Sequence, residues 1–217
     1  AKVDCVDIDK KTYNMCPEAL EKKLKKAEKI GKLPKVVIPV HFAGQPPNIP
    51  KIFELSKKYG FKIIEDASHA IGASYLNYKV GSCKHSHITV FSFHPVKIIT
   101  SGEGGIAVTN DKKLAGHMKR LRAHGITSDE ELMSSRPASQ IWNYQQIELG
   151  YNYRMTDIQA ALGASQLTRL PCVRALSANQ TAGRLLGLLF KSFVGRVLSD
   201  CSPPTKTPTM QSRRVWQ

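Results

Sequence analysis

The sequence lacks several features that would assign a protein to a class at once. Its five cysteines form no CxxC pair and are widely spaced, so neither a disulfide framework nor a zinc site is indicated. No apolar run approaches the length of a membrane span, and the first residues lack the charged-then-apolar layout of a signal peptide. We therefore expect a cytoplasmic protein with free thiols and no membrane partner.

Acidic and aromatic residues are also scarce. The 17 acidic residues face 32 Lys and Arg, which gives a formal charge of +15, and only 7% of residues are aromatic. A nucleic-acid-binding protein would gather its basic residues on one face with aromatics among them, whereas these lysines are spread along the chain. We therefore expect no nucleic-acid partner and keep a basic nucleic-acid-binding protein only as the alternative. The same charge would attract an anionic substrate.

What the chain does contain is an alternation of short apolar strands and amphipathic helices, which is typical of an α/β fold. The pattern predicts these strands: Val3–Ile8, Val36–Phe42, Phe61–Asp66, Ile88–Phe93 and Ile106–Thr109. It predicts helices after Pro17, from Ile49 to Tyr59, from Asp111 to Gly125 and after Thr156. A hairpin is expected from Gly72 to Gly81, and a loop or lid from Thr127 to Gln146.

One lysine stands between a predicted strand and a glycine-rich turn. Lys97 follows the strand by a few residues, and Gly102, Gly104 and Gly105 come next. Partial loss of water there would favour the free amine that Schiff-base chemistry needs, and glycines allow backbone to approach a ligand closely. On this stretch alone, a solvated loop lysine is the stronger interpretation.

A carboxylate ends the preceding strand. Asp66 would lie at the carboxyl edge of a parallel sheet, where ligands of α/β proteins bind, and His41 would lie at the same edge or be only a core or turn residue. Pyridoxal phosphate (PLP) enzymes need a lysine for the aldehyde and an acid for the ring nitrogen, and Lys97 and Asp66 meet both needs. His85 and His87 have no further ligand at metal spacing, so we expect no metal.

Three separated motifs together resemble one family. They are Glu65-Asp66-Ala67-Ser68-His69-Ala70-Ile71-Gly72-Ala73, Phe91-Ser92-Phe93-His94-Pro95-Val96-Lys97 with Gly102-Glu103-Gly104-Gly105, and Leu149-Gly150-Tyr151-Asn152-Tyr153-Arg154-Met155-Thr156-Asp157. In this order they are similar to the DegT/DnrJ/EryC1/StrS family of PLP-dependent sugar-nucleotide aminotransferases. The resemblance implies the central part of a fold-type I PLP-dependent transferase large domain, a mostly parallel sheet with flanking helices.

The resemblance also implies roles for single residues. Lys97 matches the Schiff-base lysine, Asp66 the partner of the pyridinium nitrogen, and His69 a ring-contacting residue. Ser92 matches a donor to the cofactor phosphate, and Asn152 matches an asparagine that reaches the phosphate of the neighbouring subunit of a homodimer. Each also has a structural interpretation: Ser92 as a strand hydroxyl, His69 as a core histidine, Asn152 as a turn residue.

The implied activity is transfer of an amino group, with glutamate as donor, to a 4-keto-6-deoxy nucleotide sugar. Related sugar dehydratases replace the lysine by histidine, so Lys97 argues against that chemistry. The alternative within the family is a catalytically inactive fragment.

The extent of the resemblance predicts a fragment. Residues 1–170 resemble part of the large domain, without the family's N-terminal phosphate-binding segment or its C-terminal domain. Residues 171–217 are an atypical basic tail with a single acid, Asp200, and we expect them to be disordered or out of frame. The chain alone is therefore expected to bind PLP weakly at best.

Overall fold

The computed structural model describes residues 1–134, 140 and 142–171. Four helices and eight strands lie in these ranges: α1 (Pro17–Lys29), β1 (Val36–Val37), α2 (Ile49–Tyr59), β2 (Lys62–Asp66), β3 (Ser74–Tyr75), β4 (Tyr78–Lys79), β5 (Ile88–Ser92), β6 (Gly105–Val108), α3 (Lys112–Leu121), β7 (Ile126–Thr127), β8 (Gln145–Gln146) and α4 (Asp157–Thr168).

A four-stranded sheet in the order β1-β2-β5-β6 forms the centre of the fold. β1 and β2 are parallel, β2 and β5 are parallel, and β6 joins β5 antiparallel. A parallel bridge between Val40 and Asp66 continues the first pairing beyond β1. The predicted α/β class with a mostly parallel sheet is confirmed, and the carboxyl ends of β2 and β5 meet at one edge.

Helices α1 and α2 cover one face of this sheet. Their apolar stripes and alternate strand residues form one core cluster: Leu20, Leu24, Val37, Ile52, Leu55, Tyr59, Phe61 and Ile63. A second cluster lies beside it and contains Ala67, Ala70, Val80 and Phe91. On the other face Val36, Ile38 and Val40 are exposed by 42%, 54% and 43%. We call these the covered face and the open face.

The helix boundaries follow local signals. Pro17 occupies the first turn of α1, and Gly60 ends α2 in the left-handed conformation with φ 78°. Asp111 caps α3 through the N–H groups of Lys113 and Leu114. α4 begins with a capping box between Thr156 and Gln159.

The predicted strand Val3–Ile8 is wrong: the structure has only an isolated bridge between Ile8 and Met15 there. Asp4 and Asp7 each accept a hydrogen bond from the next backbone N–H, and Asp9 accepts from the N–H groups of Lys11 and Thr12. These local bonds compete with a strand ladder.

Two other predicted elements are shorter than expected. The strand Val36–Phe42 ends at Val37, because Pro39 has no N–H to donate and a single helical turn begins at Phe42. Helix α3 ends at Leu121, before Gly125, because the N–H groups of Tyr151 and Tyr153 bind the carbonyl groups of Leu121 and Arg122.

The loop predicted from Thr127 to Gln146 has paired ends, since β7 and β8 are antiparallel. Residues 135–139 and 141 of this loop lie outside the described residues, as does the predicted tail beyond Pro171. Cys5, Cys16 and Cys83 are free thiols, while Cys172 and Cys201 lie outside the described ranges. No helix in the described part of the chain is long and apolar enough to cross a membrane.

Candidate functional site

Asp66 ends β2 on the open face, and Ser68 fixes its carboxylate. The backbone N–H of Ser68 donates to Asp66 Oδ1 at 3.1 Å, and the Ser68 hydroxyl donates to the same oxygen at 2.6 Å. The other carboxylate oxygen accepts no hydrogen bond from a described residue. Asp66 therefore keeps one oxygen for an outside donor, with the carboxylate held by its own turn.

Lys97 lies on a closed loop, residues 93–104, which we call the Lys97 loop. Its base is closed by Phe93 N–H donating to Gly104 O at 2.9 Å and by Ser101 N–H donating to Phe93 O at 3.0 Å. Gly104 has φ 152°, and a Cβ there would lie 2.7 Å from Ser101 Oγ. Glycine is therefore required where the loop returns to β6.

Helix α4 holds the far side of this loop. Gln166 Oε1 accepts from the N–H of Thr100 at 2.8 Å. Ser101 is 1% exposed, and Gly163 of α4 is buried beside it. The helix predicted after Thr156 therefore supports the loop that carries Lys97.

Lys97 and His69 line the same pocket. Its volume is about 300 Å³, and its other lining residues are Ala43, Val96 and Ile98. Ala43 adopts the left-handed conformation with φ 52°, which is uncommon for a residue with a Cβ. The Lys97 amine makes no hydrogen bond or ion pair with a described residue. This pocket brings together the segment that follows β2 and the Lys97 loop, whereas Asp66 is not among its lining residues.

Ser92 ends β5 on the same face as Asp66, because Asp66 pairs with Val90 in the parallel register. Its hydroxyl oxygen accepts from the N–H of His94 at 3.3 Å, so its O–H remains available as a donor. Across the Lys97 loop, His94 Nε2 lies 3.8 Å from Glu103 Oε1. Ser92 is not among the residues that line the Lys97 pocket.

Asn152 lies apart from that pocket. It forms an antiparallel bridge with Ala123 and is exposed. The residue that follows it, Tyr153, lines a second pocket of about 280 Å³. The other lining residues of that pocket are Glu103, Gly104, Gly105, Arg154, Met155 and Gln159. The structure therefore joins Lys97 and His69 in one pocket and leaves Asn152 on another part of the surface.

A pair of side chains that the sequence does not predict, His41 and Glu65, is buried behind this edge. His41 is 1% exposed, as expected for a core residue, and its Nε2 donates to Glu65 Oε2 at 2.7 Å. Burial acts to raise the pKa of Glu65, but hydrogen bonds from His41, Ser86 and Thr89 outweigh it and hold that pKa below the usual value. No spacing in the sequence links residues from two separate strands.

His85 and His87 have structural surroundings. The His85 ring packs between Phe53 and Tyr78, with centroid distances of 5.4 Å and 5.3 Å. His87 Nδ1 accepts from the N–H of Ile63 at 3.1 Å. Within the described ranges, no group of three or more His, Cys, Asp or Glu residues could hold a metal ion.

Comparison with known proteins gives a consistent result. The sequence model of the DegT/DnrJ/EryC1/StrS aminotransferase family matches residues 1–209. The UDP-4-amino-4,6-dideoxy-N-acetyl-β-L-altrosamine transaminase of Campylobacter jejuni is 42% identical over 78% of this chain and 41% of its own length. An uncharacterized protein of Methanocaldococcus jannaschii is 42% identical over 80% of this chain and 42% of its own. The chain thus spans about two fifths of the length of the curated relatives it matches.

Solved structures show the same similarity. Helicobacter pylori PseC, an aminotransferase of pseudaminic acid biosynthesis, is 33% identical with a TM-score of 0.67 over 82% of this chain and 44% of that one. A sugar aminotransferase of Streptococcus pneumoniae in its PLP form is 30% identical with a TM-score of 0.62, over 79% and 44% of the two chains.

Proposed function

Because the chain belongs to the DegT/DnrJ/EryC1/StrS aminotransferase family, whose enzymes depend on PLP, we propose that it forms the cofactor-binding centre of a sugar-nucleotide aminotransferase. One observation carries this proposal: the unpaired amine of Lys97 and His69 line one pocket at the edge where Asp66 ends β2. Residues 1–170 would be part of the large domain and residues 171–217 an atypical basic tail, although the family's sequence model matches as far as residue 209.

The side chains fit the cofactor. Lys97 offers an amine to the aldehyde, Asp66 keeps a carboxylate oxygen for the ring nitrogen, and Ser92 keeps a hydroxyl donor for the phosphate. When bound, PLP supplies an electron sink for the carbanion formed on the amino acid. Lys97 would then move the proton as a general base, and Asp66 would keep the ring nitrogen protonated. His69 would contact the ring.

The substrate proposal rests on the relatives. Both the Campylobacter transaminase and Helicobacter PseC carry names that place them in amino-sugar synthesis. We propose a 4-keto-6-deoxy nucleotide sugar as acceptor, glutamate as amino donor and the cytoplasm as location, which the resemblance to the family implies and the relatives' names do not state. The formal charge of +15 would draw a polyanionic nucleotide towards the protein.

Borohydride reduction tests this assignment directly. The 217-residue chain is titrated with PLP, reduced and digested, and Lys97 should carry the label at lower PLP concentrations than any other lysine. Lys97→Arg should abolish that first label, since arginine keeps the positive charge but not the reactive amine. Preference for another lysine would contradict the proposal.

Glutamate provides the matched control for the amino donor. Glutamate added before borohydride should protect Lys97, because the amino acid displaces the lysine from the cofactor. Glutarate, which has both carboxylates but no amine, should not protect it.

A further inference from the structure

A buried polar cluster lies on the covered face, directly behind the candidate site. Glu65 is 6% exposed, and its carboxylate accepts hydrogen bonds from three side chains on the two neighbouring segments, one after β1 and one that runs into β5. His41, after β1, donates at 2.7 Å, and Thr89 of β5 donates at 3.0 Å. Ser86, before β5, also donates to it. Glu65 thus joins the three parallel segments whose ends form the edge of the sheet.

The position of Glu65 in β2 connects this cluster to Asp66. Successive side chains of a strand point to opposite faces, so Glu65 lies on the covered face and Asp66 on the open face. The backbone of Asp66 is held on the β1 side, since its N–H donates to Pro39 O at 3.0 Å and its C=O accepts from His41 N–H at 2.9 Å. On the β5 side, Ala67 N–H donates to Val90 O at 2.8 Å.

His41 depends on Glu65 for its orientation. Its Nδ1 is buried and has no partner among the described residues, so the bond from Nε2 to Glu65 is the side chain's only polar anchor there. His41 also precedes Ala43, which lines the Lys97 pocket. Loss of the Glu65 carboxylate would therefore leave the His41 ring without this anchor, two residues before Ala43.

We propose that Glu65 is a positioning residue, which acts from the covered face to hold Asp66 and the strand that leads to the Lys97 loop in register at the edge where PLP would bind. This inference rests on the proposed function. It follows from the three hydrogen bonds to Glu65, which tie β1, β2 and β5 together. At this place β2 ends with Asp66, and β5 leads to the loop that carries Lys97. A buried carboxylate with three donors cannot move without leaving a polar group unpaired.

The test compares Glu65→Gln and Glu65→Leu with Ile52→Ala in the 217-residue chain. Gln keeps an acceptor for the hydroxyl groups, whereas Leu keeps only the volume. Ile52 of α2 is 0% exposed in the first core cluster, so its substitution destabilises the fold while leaving the hydrogen-bonding groups around Glu65 in place. Glu65→Leu should raise the dissociation constant for PLP about tenfold, the effect of one lost bond to a charged group. Glu65→Gln should show a smaller rise, and Ile52→Ala none.

A second measurement needs no cofactor. Amide hydrogen exchange of Asp66 and Ala67 should accelerate in both Glu65 variants relative to the amide of Leu55 in α2. Equal acceleration of all three amides, or PLP affinity that follows unfolding stability in every variant, would overturn the inference. Because weak binding is expected of this chain alone, only failure of the wild-type chain to attach PLP at Lys97 at any PLP concentration would count against the proposed function, and the exchange data would still decide the role of Glu65.

Discussion

At the scale of single residues, the sequence predicts which side chains lie at the ends of strands, but not which side chains form hydrogen bonds between strands. Asp66 and Lys97 each follow an apolar run closely, so their common edge could be predicted. Glu65 and His41 lie on different segments, and their contact depends on the register of β1 against β2. That register depends on how the strands pair in three dimensions, so the sequence predicts a core position for His41 but not its partner.

His87 gives a prediction about pH. Burial and the charge of Lys62 lower the pKa of His87, while Asp111 acts to raise it. A histidine whose pKa is lowered by folding contributes stability above its unfolded value of 6.5, and this contribution is lost as pH falls towards the folded value. Protonation of Nδ1 would also remove the acceptor for the N–H of Ile63.

We therefore expect the free energy of unfolding to fall between pH 7 and pH 5, by at most about 1 kcal/mol because the ring is partly exposed. Urea unfolding at both pH values measures this change. His87→Gln should flatten the decrease, whereas His117→Gln, which removes a half-exposed histidine 3.2 Å from the Glu148 carboxylate, should not flatten it. An unchanged decrease in His87→Gln would contradict the assignment.

At the scale of elements, prediction succeeded where capping residues and apolar periodicity agree. Helices α1, α2 and α4 begin at Pro17, Asn48–Ile49 and Thr156–Asp157, close to the predicted positions. The segment Val3–Ile8 has the alternation of a strand, but its aspartates bind neighbouring N–H groups. Alternation alone therefore does not make a strand when side chains compete for the backbone.

Gln166 is the polar link between α4 and the Lys97 loop. Gln166→Met should remove the acceptor for Thr100 N–H and weaken the loop by about 1 kcal/mol, a typical value for one hydrogen bond. Amide exchange of Thr100 should then be about fivefold faster, and PLP affinity should decrease. Gln166→Glu retains the acceptor and is the control. If both variants behave alike, this bond does not position the loop.

At the scale of the whole molecule, the family and the fold class were predictable because three motifs occur in one order, and both are confirmed. The homodimer that the same motifs imply, with Asn152 serving the neighbouring subunit, stays a prediction. The structure leaves Asn152 outside the Lys97 pocket and exposes apolar residues around it: Leu149 by 90%, Tyr151 by 60%, Tyr153 by 73% and Ile158 by 84%. Exposed apolar surface of this kind favours a protein contact.

If Asn152 serves the phosphate of a neighbouring subunit, as the family resemblance implies, two inactive variants should restore each other. The background is a chimera in which residues 1–171 replace the matching segment of the Campylobacter transaminase, provided that the chimera itself is active. Lys97→Ala and Asn152→Ala are each expected to be inactive. In a mixed dimer one site carries both substitutions and the other carries neither, so random exchange should restore about a quarter of the wild-type activity, since half of the dimers are mixed and each has one intact site. Two different Lys97 variants, mixed in the same way, form the control and should stay inactive. Exchange of subunits without recovery would show that Asn152 acts within its own subunit.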